Sequence, residues 1–142
     1  MSKRSNVRVL YRSTRSLPKR EVLKLYRSVQ WSAAKKPIRL LRALTQSHSV
    51  VSAWVNGSLV GLGNAISDGS MVVYYPHLLV SPDFQRLGIG REIMKRLMRR
   101  YRGFHQHMLV AEATAVSFYG ACGFVRAGKT ISMWVFKGTE HG

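Results

Sequence analysis

The chain has 142 residues, 46% of them hydrophobic, which suits one folded domain over 1–142 and excludes a disordered chain. Twenty-three Lys and Arg against six Asp and Glu give a formal net charge of +17, a field that attracts polyanions and repels polycations. A lone cysteine, Cys122, excludes an intramolecular disulfide, and no apolar run reaches the roughly 18 residues of a membrane helix, so no membrane partner and a cytoplasmic setting are expected.

No apolar stretch follows the basic residues 1–6, which are expected to be a flexible lead rather than a secretory signal. Residues 7–11 (VRVLY) alternate basic and apolar and read as a first strand. Ser16 and Pro18 resemble a helix start, with Val22, Leu23, Tyr26 and Val29 following at helical spacing. Pro37 opens a second helix that turns Ile38, Leu41 and Leu44 inward. Residues 50–55 and 58–66 read as strands joined by Asn56-Gly57, a tight-turn signal. A fourth strand spans 71–80, interrupted by Pro76; proline donates no ladder hydrogen bond, so an edge, a bulge or a splay is expected there. Residues 88–101 form an amphipathic helix, with Ile89, Ile93, Met94, Leu97, Met98 and Tyr101 on one face. A fifth strand (105–110), a fourth helix (112–121) and two closing strands (124–127 and 131–136) complete the order βααβββαβαββ, an α/β sandwich around a mixed sheet.

The most informative stretch is LLVSPDFQRLGIGR, residues 78–91: a strand, a proline turn, two glycines one residue apart, then a basic helix. The first turn of a helix carries N–H groups with no internal partner, and its dipole favours anions. Gly88 and Gly90 lack a Cβ, so phosphate oxygens can approach the backbone, and Arg86 and Arg91 can add charge-assisted hydrogen bonds. Taken alone, Gly-x-Gly also suits an ordinary tight connection. It is neither the dinucleotide fingerprint nor a P-loop.

Gln85-Arg86-Leu87-Gly88-Ile89-Gly90 resembles the Q/R-x-x-G-x-G/A motif of the GNAT acetyltransferases, and AVSFYGACGF at 115–124 is similar to a second region of that family. The resemblance covers nearly the whole chain. It implies a mixed, mostly antiparallel sheet flanked by helices with splayed central strands, and an N-acetyltransferase that moves an acetyl group from acetyl-CoA to an amine, with no metal. Backbone groups of Leu78, Leu79 and Val80 would then pair with the pantetheine amides. Those of Arg86, Leu87, Gly88, Ile89, Gly90 and Arg91 would hold the pyrophosphate, with Gln85 and Phe118 counted among the coenzyme contacts. Tyr119 matches the tyrosine that protonates the departing thiolate. Where the family often has Asn, this chain has Glu112, which departs from the pattern.

Direct attack on the thioester requires a neutral amine, and the carbonyl oxygen needs a donor as it gains charge. The backbone N–H of Leu78, just after Pro76, is the expected donor. No strong base is evident: Tyr74 occupies the position where some relatives carry Glu or His. His77, Tyr75, Asp68 and Glu112 are further candidates, and water-mediated deprotonation is the preferred reading. Trp31, Tyr74 and His77 are the candidate acceptor-binding residues. His105 and His107 share a strand face without an evident third metal ligand, and Cys122 reads as an inert thiol.

The rival class is a nucleic-acid-binding module, whose footprint would be the seven basic residues between Lys3 and Arg20; a non-catalytic acyl-CoA-binding protein is the third reading. The spacing of Gly63, Asp68 and Gly69 resembles small bacterial members of the family. Their acceptors range from small amines such as serotonin, polyamines or aminoglycosides to protein amines, and a homodimer is left open. The +17 surface argues against polyamines and basic tails.

Overall fold

Strands β1 (Leu10–Arg12), β2 (Ser49–Val55) and β3 (Ser58–Ser67) form an antiparallel meander in the computed structural model, which describes residues 7–136. The basic lead at 1–6 lies outside the described residues. Asn56 and Gly57 both take positive φ (48° and 81°), the geometry a two-residue hairpin turn demands. Every residue of β2 is buried, because both sheet faces are covered there. Val50 and Trp54 pack with α1 (Lys19–Ser28) and α2 (Pro37–Thr45), whereas Val51, Ala53 and Val55 pack with α3 (Ile89–Arg99).

Pro76 divides the expected fourth strand in two. β4 (Val72–Tyr74) pairs antiparallel with the end of β3 and parallel with β6 (Gln106–Met108). β5 (Leu78–Val80) pairs only with the middle of β3. The sheet is therefore mixed and mostly antiparallel, with β5 splayed away from the β4–β6 pair.

Two glycines of β3 set the height of α3 above the sheet. A Cβ on Gly63 would lie 2.7 Å from Ile93 Cγ2 and 2.9 Å from Leu97 Cδ1, and one on Gly61 would lie 3.0 Å from both Ile89 and Ile93. The helix thus rests directly on the strand backbone, and its N-terminus is delivered beside β5.

The C-terminal part departs from expectation. The fourth helix is a single 3₁₀ turn (Ala113–Ala115) followed by α4 (Val116–Ala121). The closing strands at 124–127 and 131–136 are absent: neither pairs with another strand among the described residues. Ile131, Met133 and Val135 are 84%, 93% and 105% exposed. Alternating apolar residues make a strand only where an edge receives them, and neither segment joins the sheet among the described residues. The observed order is βααββββαβα.

Candidate active site

The loop between β5 and α3 forms an anion cradle. Arg86 and Gly88 take left-handed conformations (φ 64° and 80°) on either side of Leu87. Gly88 is the N-cap of α3 and supplies no side-chain cap. The helix ladder begins with Glu92 N–H donating to Gly88 O at 3.0 Å, so the N–H groups of Ile89, Gly90 and Arg91 have no partner within the helix. A Cβ on Gly88 would meet nothing within 4 Å, so the space before the helix end is open. On Gly90 a Cβ would lie 3.3 Å from Phe118 Cζ and 3.6 Å from Val80 Cγ2, which places the Phe118 ring and Val80 against the first turn. Uncapped donors, open space and the positive helix end suit a pyrophosphate. Gln85 serves differently: its Nε2 donates to Val80 O at 3.0 Å and ties the loop to β5.

The free edge of β5 follows from ladder parity. An antiparallel pair alternates hydrogen-bonded and non-bonded residue pairs. Ser81 N–H donates to Val60 O (2.8 Å) and Asn64 N–H to His77 O (3.1 Å), which makes 60 with 81 and 64 with 77 bonded pairs. In the observed register Leu62 faces Leu79, so that pair is bonded as well. Leu79 therefore turns its backbone N–H and C=O toward β3, and the expectation that it pairs with pantetheine is corrected. Leu78 and Val80 turn theirs outward. On that side the last bond to β6 runs from Tyr75 N–H to Met108 O at 3.0 Å, and β5 has no strand neighbour there among the described residues. Buried Asn64 fixes the bend: its Oδ1 accepts from His77 N–H at 3.0 Å, and its Nδ2 donates to Ser47 Oγ at 3.1 Å.

Tyr119 lies in α4 next to Phe118. Its ring packs edge-on against Phe118 (5.0 Å) and Phe124 (6.1 Å), and Phe118 in turn covers Gly90. Burial, helped by Cys122 and Glu112, pushes the Tyr119 hydroxyl up to about 12. It stays protonated at neutral pH and can act as a hydrogen-bond donor. Burial also raises the Cys122 thiol, partly countered by Arg91, so Cys122 is no ready nucleophile.

On the other face Trp31 and His77 come together, with ring centroids 5.3 Å apart. Tyr26 completes the group, its hydroxyl 2.8 Å from His77 Nδ1. Burial lowers the His77 pKa, which keeps the imidazole neutral, and raises that of Tyr26. Tyr74 stands elsewhere. It faces Ile66 on one neighbouring strand and Met108 on the other, a row of side chains 53%, 37% and 43% exposed in the order Ile66, Tyr74, Met108.

Other candidate bases have structural duties. Asp68 Oδ1 accepts from the N–H groups of Ser70, Met71 and Val72, which hold its carboxyl below the usual range. Tyr75 is buried, with its hydroxyl 2.9 Å from His107 Nδ1. His107 is thereby engaged, and no three His, Cys, Asp or Glu side chains gather among the described residues.

Sequence reasoning missed Tyr26 and Asn64. Asn64 could have been found as a polar residue inside an apolar strand. Tyr26 carried no signal beyond its inward helical position.

A family model described as an acetyltransferase (GNAT) domain matches residues 23–139. The chain belongs to the GNAT acetyltransferase family. It is 29% identical over 113 residues to the uncharacterized N-acetyltransferase ycf52 of Pyropia yezoensis, covering 75% of this chain and 64%, under two thirds, of that relative. Among solved structures, the GNAT family acetyltransferase SP0256 from Streptococcus pneumoniae TIGR4 superposes with a TM-score of 0.80 at 27% identity, covering 92% of this chain and 100% of that one. The aminoglycoside N-acetyltransferase AAC(6')-Iy, solved in complex with CoA, shares the fold with a TM-score of 0.71 at 15% identity over 92% of this chain and 96% of its own.

Proposed function

We propose that the protein transfers the acetyl group of acetyl-CoA to an amine by direct attack within a ternary complex. The observation that carries this reading is the continuity of two donor sets: the outward backbone of Leu78 and Val80 leads through one short loop into the uncapped N-terminus of α3. The CoA held by the aminoglycoside acetyltransferase of the same fold supports it.

In this reading the N–H groups of the segment 86–91 bind the pyrophosphate, Arg86 and Arg91 add charge, and Phe118 closes one wall. Leu78 and Val80 receive the pantetheine amides along the β5 edge, except that Val80 O is already engaged by Gln85. Acetyl-CoA supplies a thioester carbonyl open to attack. The Leu78 N–H donates to the carbonyl oxygen as charge develops there. Tyr119 donates a hydrogen bond to the leaving sulfur. The amine loses its proton through water, since Asp68 and Tyr75 are held by their own partners. The proposed roles call on no metal.

Trp31 and His77, packed together, form the acceptor side in this reading. Tyr26, Trp31 and His77 present no negative charge, so the acceptor is read as an amine on a neutral or acidic molecule rather than a polycation. No described helix is long and apolar enough to cross a membrane. A reducing, cytoplasmic setting is part of the reading, with Cys122 kept as a thiol.

A second copy is the proposed partner for the exposed apolar side chains of Ile131, Met133 and Val135. Ile131, Met133 and Val135 are more exposed than apolar side chains of a stable monomer ordinarily are, and β6 has strand contact only with β4 among the described residues. Contact between two copies over these side chains would bury them.

The enzymatic reading is tested by incubating the protein with acetyl-CoA and a panel of amines. CoA release and the acetylated amine, detected by absorbance and mass spectrometry, should appear together. CoA binding with no release above the buffer rate for any amine would leave a binding protein and overturn catalysis.

A further inference from the structure

We propose that a groove beside the C-terminal end of α3 binds the phosphate backbone of single-stranded nucleic acid, without reading its sequence, at a place separate from the coenzyme cradle. Two depressions of about 420 and 410 Å³ adjoin there. Arg15, Ser47, His48 and Ser67 line the first, and Tyr11, Ser13, Arg96 and Arg99 line the second. Arg100 lines both, so the two depressions lie side by side and share one arginine wall.

The charge there is one-sided. No carboxylate lines either depression. Glu92, on the same helix, pairs with Arg96 at 2.8 Å and offsets one guanidinium. Arg15, Arg99 and Arg100 remain exposed; Arg15 is oriented by donating one N–H to Ser47 O at 3.1 Å. A helix C-terminus carries a partial charge of about −0.5, which the neighbouring guanidiniums outweigh. The coenzyme cradle is at the other end of α3, about 15 Å away by helix rise.

Geometry favours an extended polyanion over a compact phosphate ester. The two neighbouring depressions are open to solvent and walled by long exposed side chains, among them Arg15, Arg99 and Arg100. The nearby rings offer little face for base stacking. Arg96 lies over Tyr11 at 4.4 Å, and Arg12 lies over Trp54 at 5.0 Å. Contacts to phosphate with neither base-edge readout nor stacking give sequence-independent binding. This also gives part of the +17 charge a task that the coenzyme does not require.

The test is fluorescence anisotropy with labelled 12-nucleotide homopolymers of RNA, run from 50 to 200 mM salt. Four phosphate contacts imply a slope near −2.8 in log affinity against log salt, an affinity loss of about 50-fold across that range. Different homopolymers should bind within a few-fold of one another. The double variant Arg99→Gln/Arg100→Gln should weaken binding at least tenfold and leave acetyl-CoA affinity unchanged, since both residues are surface-exposed and far from the cradle. Saturating CoA should not displace the RNA. Displacement by CoA would locate binding in the cradle and overturn the proposal, as would parental RNA affinity in the double variant. Equal binding and full competition by a poly-glutamate peptide would assign the groove to acidic protein segments instead.

Discussion

Tyr119→Phe removes one hydroxyl and leaves the ring packed between Phe118 and Phe124. With its pKa pushed up to about 12, the hydroxyl lies some 3.5 units above an ordinary thiol near 8.5. Complete proton transfer to the thiolate would therefore be uphill by about 5 kcal/mol. The structure favours a donated hydrogen bond, which toward a charged partner is worth roughly 1.5–3 kcal/mol. The expected fall in kcat is about 10–150-fold, below the upper range of general acid catalysis. Acetyl-CoA affinity should stay within about twofold, because the ring that packs is unchanged, and stability should drop by about 1 kcal/mol at most. Steady-state CoA release gives kcat, calorimetry gives affinity, and thermal melting controls for folding. No basic limb from Tyr119 should appear in the parent's rate profile below about pH 11, since the hydroxyl remains protonated there. Parental kcat with normal melting would reduce Tyr119 to a packing residue. A loss of affinity in step with kcat would show that the substitution moved the ring.

Three other outcomes follow from the packing and the charges. Gly63→Ala places a methyl group 2.7 Å from Ile93 and 2.9 Å from Leu97; α3 must lift, and denaturant unfolding should show a loss of about 1–3 kcal/mol, whereas Gly57→Ala meets no neighbour and isolates the backbone cost of a positive φ. Burial holds His77 below its ordinary 6.5, so the unfolded chain binds that proton more tightly. Its contribution is fully present above about pH 6.5 and is lost as pH falls through the folded value; between pH 7.5 and 5.5, His77→Gln should lose less stability than the parent in urea unfolding. If two copies cover the exposed Ile131, Met133 and Val135, sedimentation equilibrium should give twice the 16.1 kDa chain mass, and Met133→Asp/Val135→Asp should give one; a monomeric parent at micromolar concentration would remove the dimer.

Local chemistry made much of the fold legible. The Asn56-Gly57 hairpin, the apolar stripe of α3 and the break at Pro76 each depend on residues a few positions apart, and each appears where expected. Pro76 indicated an edge, a bulge or a splay, and only the register with β3 separates the outward Leu78 and Val80 from the inward Leu79. Long-range partners were not legible. Tyr26 meets His77 across 51 positions, and Asn64 reaches back 17 positions to Ser47, neither of which periodicity can reveal. The closing strands failed for a related reason. Alternation at 131–136 is a property of the segment, whereas a strand also needs an edge to receive it.

The central claim is that acetyl-CoA sits with its phosphates at the N-terminus of α3, and calorimetric titration of acetyl-CoA into the parent and Gly88→Val tests it most directly. Gly88 combines a left-handed backbone with open space in front of it, so a valine there is strained by about 1–2 kcal/mol and places its branches where the phosphates should lie. At a temperature where melting shows both proteins folded, the parent should bind acetyl-CoA and the variant should bind at least tenfold more weakly. Equal affinity in two folded proteins would contradict the placement of the coenzyme.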